Sequence, residues 1–196
     1  MRVEPIRDKE LIGRTAEALR RDGSEAGNRR YLMFLIGIYL GRRVSDYRMM
    51  KVGDLLGRDK LVIREQKTGK QMELFIPRTL QKALRERLSG RAPEEWLFLS
   101  PQRDRITGDP KPVCYRTLLR DSKEVMRIMG LPEGYNIGTH SWRKTFGYWY
   151  YKTTQDIAGL MKLFNHTKEE TTLIYIGIAS DEMRQTFRKV DKMYDL

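Results

Sequence analysis

The chain of 196 residues has two histidines, and both lie among ionisable neighbours. His140 opens the run His140-Ser-Trp-Arg143, and His166 sits in Asn165-His166-Thr-Lys168, nine residues ahead of Tyr175. Upstream, Gly41-Arg42-Arg43-Val-Ser-Asp46 places an acid three residues after a guanidinium, and Lys67-Thr-Gly-Lys70 brings two ammonium groups into one short turn. Two imidazoles, a phenol and a set of cations are candidates for proton transfer, covalent attack and anion binding. Taken singly, each is ordinary. Lys and Arg number 38 and Tyr 10, so a lone arginine reads as a solvated or backbone-contacting side chain and a lone tyrosine identifies nothing. Order and spacing together carry the information.

The elements that must position these residues are mostly helical. Apolar residues at helical spacing predict helices over Pro5–Arg21, Asn28–Leu40, Arg78–Leu88, Val113–Met129, His140–Tyr151, Asp156–Phe164 and Asp181–Met193. Gly41 breaks the second, and Ser45 with Asp46 would cap a short helix through Met50. The period changes at Leu61–Gln66 and Gln71–Ile76, which flank Lys67–Lys70 as a β-hairpin. Pro101–Pro112, with Gly108, Asp109 and its prolines, reads as a loop. The run Thr171–Ile176 fits strand or helix, because its β-branched residues favour one and its neighbours the other. The fold class is mainly α with a small antiparallel sheet. Tyr148–Tyr151 reads as packing rather than a base-stacking surface, and the ten methionines read as core filler.

A formal charge of +12 points to a polyanionic partner, either nucleic acid or an acidic membrane surface. The basic residues are scattered through every segment rather than gathered on one amphipathic helix, which argues against the membrane. The apolar stretch Tyr31–Leu40 is too short to span a bilayer, and the first residues lack a signal-peptide core, so a cytoplasmic protein is expected. A single cysteine, Cys114, rules out an internal disulfide and reads as a small side chain rather than a nucleophile.

The ordered set Arg43 with Asp46, Lys67, His140 with Arg143, His166 and Tyr175 resembles the tyrosine recombinase, or phage integrase, family, over nearly the whole chain. The resemblance implies the family's DNA breaking-rejoining fold and a site-specific recombinase that cuts and rejoins DNA strands through a 3′-phosphotyrosyl link. It assigns Tyr175 as nucleophile, Arg43 and Arg143 as clamps on the phosphate oxygens, and Lys67 as proton donor to the departing 5′-oxygen. It makes His140 the proton acceptor for the tyrosine and His166 a hydrogen-bond donor to the phosphate, with Asp46 holding the site together. Such a link conserves bond energy, so no ATP is expected, and the cationic side chains fill the electrophilic role, so no metal or other cofactor is expected. Adjacent rivals are Arg42 for Arg43 and Lys70 for Lys67; the Arg-x-x-Asp spacing and the hairpin pattern favour Arg43 and Lys67.

Two positions depart from the family's pattern: Asn165 stands where a glycine usually precedes the histidine, and Lys144 follows Arg143 where histidine is frequent. The resemblance divides the chain into a catalytic domain over 1–179 and a C-terminal helix over 180–196, with the N-terminal core-binding domain absent. Met183, Phe187, Val190 and Tyr194 form a stripe on that helix, which either folds back or packs on a neighbouring protomer of a homotetramer on double-stranded DNA. A non-catalytic DNA-binding module and a type IB topoisomerase are the alternative readings.

Overall fold

The computed structural model describes residues 3–64, 71–131 and 138–194, without the side chains of Arg64 and Tyr194. A nearly enclosed helix, α2 (Glu25–Leu40), organises the interior, with Leu32–Ile36 and Leu40 all buried. It starts three residues earlier than its apolar pattern suggests, because the Ser24 hydroxyl accepts the Gly27 N–H at 3.0 Å and caps the first turn. Around it pack α1 (Lys9–Arg21), α4 (Arg78–Leu88), α5 (Tyr115–Ile128) and α6 (Thr139–Thr154). Gly37 permits the close crossing with α6: a Cβ there would come within 2.5 Å of the Trp142 Cβ. Trp142 in turn meets Phe34 edge-on, with ring centroids 5.2 Å apart.

The helix expected from Pro5 begins only at Lys9, where Asp8 caps it by accepting the Leu11 N–H. Residues 3–8 form a non-helical strap, since tertiary partners take their backbone groups. The Ile6 N–H donates to Thr145 Oγ1 at 2.9 Å, and Trp149 Nε1 donates to the Ile6 carbonyl at 3.0 Å. The short helix after Gly41, α3 (Val44–Arg48), starts at Val44 rather than Ser45, and the Asp46 carboxylate accepts the Arg43 N–H.

Strands β1 (Lys60–Arg64) and β2 (Gln71–Phe75) pair antiparallel in the expected hairpin, in a register that sets Lys60 opposite Phe75 and Arg64 opposite Gln71. The segment Pro101–Pro112, expected to be a loop, is a second small hairpin of β3 (Leu99–Arg103) and β4 (Pro110–Pro112). Its prolines misled the reading: in a two-stranded ribbon every strand is an edge, so a residue without an N–H is tolerated there. The ambiguous run Thr171–Ile176 is helical, within α8 (Glu169–Ile176). It buries Thr172 and Ile176 against α6 and α7 (Ile157–Phe164), and that packing overrides β-propensity. Tyr148, Leu160, Phe164, Ile176 and Ile178 form a second, smaller core, against which Trp149, Tyr150 and Tyr151 pack, as expected of the aromatic run. The last helix, α9 (Ile178–Tyr194), follows a break at Gly177, whose φ is +84°.

Candidate active site

Two chain breaks, at the ends of α2 and α7, converge on α6. α2 ends at Gly41 in the left-handed region (φ +58°), where a Cβ would collide with the Phe146 ring. The turn sends adjacent arginines to opposite environments. Arg42 is buried, donating to the Leu163 carbonyl at 3.3 Å and pairing with Asp46 at 3.5 Å, while Arg43 is exposed at the mouth of the site. Asp46 thus holds both residues, one by its side chain and the other by its backbone N–H.

Arg143 projects from α6 into the interior and is only 2% exposed. Its Nη1 donates to the Gly41 carbonyl at 2.8 Å and its Nη2 to the Phe164 carbonyl at 3.0 Å, with the guanidinium 4.0 Å from the Phe164 ring centroid. Burial, with Arg43 and Arg42 adding like charge against the opposing pull of Tyr175 and Asp46, pushes its pKa down to about 10. It is still a cation at neutral pH, and it is short of negative charge.

α7 ends at Asn165, also left-handed (φ 55°), and this turn aims His166 back at α8. The His166 Nδ1 lies 3.0 Å from the Thr172 hydroxyl, and its ring stands edge-on to Tyr175 with centroids 5.3 Å apart. Tyr175 is also edge-on to Phe164 at 5.6 Å, and its hydroxyl is 3.4 Å from His140 Nδ1. Burial raises the phenol pKa above its ordinary value, opposed by Arg143, which hydrogen-bonds it, and by Arg43. Burial, followed by Arg143 and Arg43, lowers both histidines, and Lys144 adds to the effect on His140. At neutral pH the site therefore holds neutral imidazoles, a protonated phenol and unneutralised arginines.

Of the residues singled out in the sequence, His140, Arg143, His166 and Tyr175 meet directly or through Phe164, and Arg43 lies within electrostatic reach of all four. Lys67 and its rival Lys70 lie outside the described residues. Sequence reasoning passed over Phe164, which touches Arg143, His166 and Tyr175, because an aromatic at the end of an apolar helix carries no sign of what it faces. Among the described residues no three His, Cys, Asp or Glu side chains gather as a metal-binding group. A basic cleft of about 600 Å³ is lined by Arg29, Arg48, Lys111 and Arg120, with the exposed Cys114 at its wall. Tyr115, next to Cys114, reaches 3.0 Å from the Thr139 hydroxyl, one residue before His140.

Residues 9–182 match the phage integrase family, and the chain belongs to it. The probable integrase/recombinase YoeC of Bacillus subtilis (strain 168) is 34% identical over 186 residues, covering 95% of this chain and 96% of YoeC. Among solved structures, XerA recombinase matches with a TM-score of 0.70 at 22% identity, over 95% of this chain and 65% of XerA. Lambda integrase, solved as a tetramer bound to a Holliday junction, matches with a TM-score of 0.59 at 17% identity, over 89% of this chain and 48% of its own. The chain thus spans nearly all of YoeC, and about half to two thirds of those two recombinase chains. The fold is that of a tyrosine recombinase catalytic domain, and the family is one of integrases and site-specific recombinases.

Proposed function

We propose that this chain cuts and rejoins double-stranded DNA at a specific site through a 3′-phosphotyrosyl intermediate on Tyr175, acting within a tetramer and using neither ATP nor metal. One observation carries the reading: the Tyr175 hydroxyl faces a neutral imidazole, His140, at 3.4 Å, beside the buried, unneutralised Arg143. The phenol gives its proton to His140, its oxygen bonds to phosphorus, and the bond from phosphorus to the 5′-oxygen breaks. Lys67 supplies the proton that the departing oxygen takes. Arg43 and Arg143 hold the non-bridging oxygens, where negative charge gathers in the transition state, and His166 donates a further hydrogen bond. Rejoining runs the same steps backward with a new 5′-hydroxyl. The net charge of +12 and the basic cleft lined by Arg29, Arg48, Lys111 and Arg120 support a duplex as the substrate. The exposed apolar stripe of α9 supports assembly into a multimer, as in the lambda integrase tetramer.

A nicked duplex carrying a site selected from random DNA by its binding to the full chain tests this directly. Wild-type protein forms a covalent adduct on a denaturing gel and Tyr175→Phe forms none while keeping its affinity. Equal adduct from both, or none from wild type on a duplex it binds, overturns the proposal.

A further inference from the structure

Directly after Arg143, at one of the positions that departs from the family's pattern, α6 carries a second buried cation. Lys144 is 4% exposed, although an ammonium is strongly hydrated and costly to bury. Its Nζ donates to the Val3 carbonyl of the N-terminal strap at 2.8 Å and lies 4.9 Å from the centroid of the Tyr175 ring. The strap cannot easily drift from this contact, because Thr145, Trp149 and the 3.0 Å Arg7–Asp181 ion pair fasten it on both sides. The ammonium is therefore clamped between the strap and the ring of the nucleophile side chain.

We propose that Lys144 is a positioning residue for strand cleavage: it fixes the ring of Tyr175 and favours negative charge on the phenol as its proton leaves. This rests on the reading of Tyr175 as nucleophile. A neutral phenol attracts the cation only through the quadrupole of its ring, whereas a ring sharing a developing negative charge attracts it more strongly. The interaction thus grows between ground state and transition state, so it acts on the rate of cleavage and not on DNA affinity. Among the described residues, the other charged or titratable groups facing Tyr175 are His140 and Arg143 on α6, Arg43 from the turn before α3, and His166 from the turn before α8; Asp46 lies behind the arginines. Arg43 is exposed to solvent, whereas Lys144 is buried under the strap with its Nζ on the Val3 carbonyl.

The test uses the full chain on the nicked duplex described above. Lys144→Gln removes the charge while keeping an N–H donor on a side chain one atom shorter, Lys144→Arg retains the charge, and Tyr175→Phe is the control. The adduct rate is followed with pH alongside duplex affinity, and the ionisation of Tyr175 is read from its ring 13C signal, assigned by its loss in Tyr175→Phe. In Lys144→Gln the adduct rate falls by about tenfold, affinity holds within about twofold and the Tyr175 midpoint moves up, while Lys144→Arg recovers most of the rate. An unchanged Tyr175 midpoint and rate in Lys144→Gln, with adduct still lost in Tyr175→Phe, overturns this inference alone. So does a rate loss matched by a loss of affinity and not recovered by Lys144→Arg. Adduct from Tyr175→Phe overturns the nucleophile reading, and this inference with it.

Discussion

A guanidinium taken out of water with two carbonyl oxygens and a protonated phenol as acceptors keeps its charge, and this is the state of Arg143 between Gly41, Phe164 and Tyr175. A phosphate arriving at the site supplies the missing charge, and the planar fork is already aimed by its two carbonyls. A lysine at this position reaches one carbonyl or the other, not both, and does not lie flat on the Phe164 ring. We expect Arg143→Lys to form adduct at least about 100-fold more slowly than wild type, with a Tm only a few degrees lower; a rate within a few-fold of wild type would remove Arg143 from the reaction. The neighbouring His140 gives a prediction in pH. Its pKa lies below the ordinary 6.5, through burial and then the charges of Arg143, Arg43 and Lys144. The imidazole therefore stays neutral, and able to accept the tyrosine proton, until the pH falls below that value. The acid limb of the adduct rate should have its midpoint below pH 6.5, and a midpoint at or above it would show that another group accepts the proton. Stability follows the same sign. The native state resists protonating His140 and His166, so stability is level above about pH 6.5 and declines as the pH falls below it.

Whole elements depend on single backbone positions at the turns that deliver these residues. Asn165 ends α7 at φ 55°, a region that asparagine tolerates and glycine occupies freely, while a β-branched residue is strained there. Asn165→Gly should leave the Tm within a few degrees of wild type, while Asn165→Val should cost about 1–2 kcal/mol and slow adduct formation by turning His166 away from Tyr175. Thermal melts and the nicked-duplex assay together check this; an Asn165→Val protein as stable and as fast as wild type would show that the turn does not set the histidine. The helices around these turns were legible in the sequence, since apolar spacing reports which face a helix buries. The strap over residues 3–8 was not, because its backbone partners, Thr145 and Trp149, lie about 140 residues away and leave no local trace. The β3–β4 ribbon was hidden by prolines that only an edge strand accepts. At the site, motif order singled out His140, Arg143, His166 and Tyr175 as candidates, but the meeting of α6 with α8 across 35 residues is a product of packing. Lys144 was legible only as a departure from a pattern: with 38 lysines and arginines in the chain, nothing local marks one that will be buried against an aromatic ring.

At the scale of the whole molecule, charge and an uncovered apolar face set the expectations. A chain of net charge +12 that neutralises several phosphates releases their counterions, so duplex affinity should fall by about 10³-fold between roughly 50 and 200 mM salt. A nearly flat dependence, measured by fluorescence anisotropy, would place the basic cleft outside the DNA interface. The apolar face belongs to α9. Its first turn is tied to the strap through Asp181 and Arg7, but Met183, Val190 and Met193 lie exposed along it and Phe187 is 66% exposed. The side chain of Tyr194, which completes the predicted stripe, lies outside the described residues. Four large apolar side chains on one helix are costly to leave in water, and the face does not fold back on its own domain. If that face docks on a second copy when two sites are brought together, a charge at its centre blocks docking and leaves the distant chemistry intact. Phe187→Glu should therefore cut a single nicked duplex at close to the wild-type rate, because Phe187 is exposed on α9 and is not among the groups that meet at Tyr175. The same variant should fail to form the slow-migrating complex that holds two duplexes on a native gel. Loss of single-site cutting would make α9 part of the domain's own stability, and an unchanged two-duplex complex would place the protomer interface on another face.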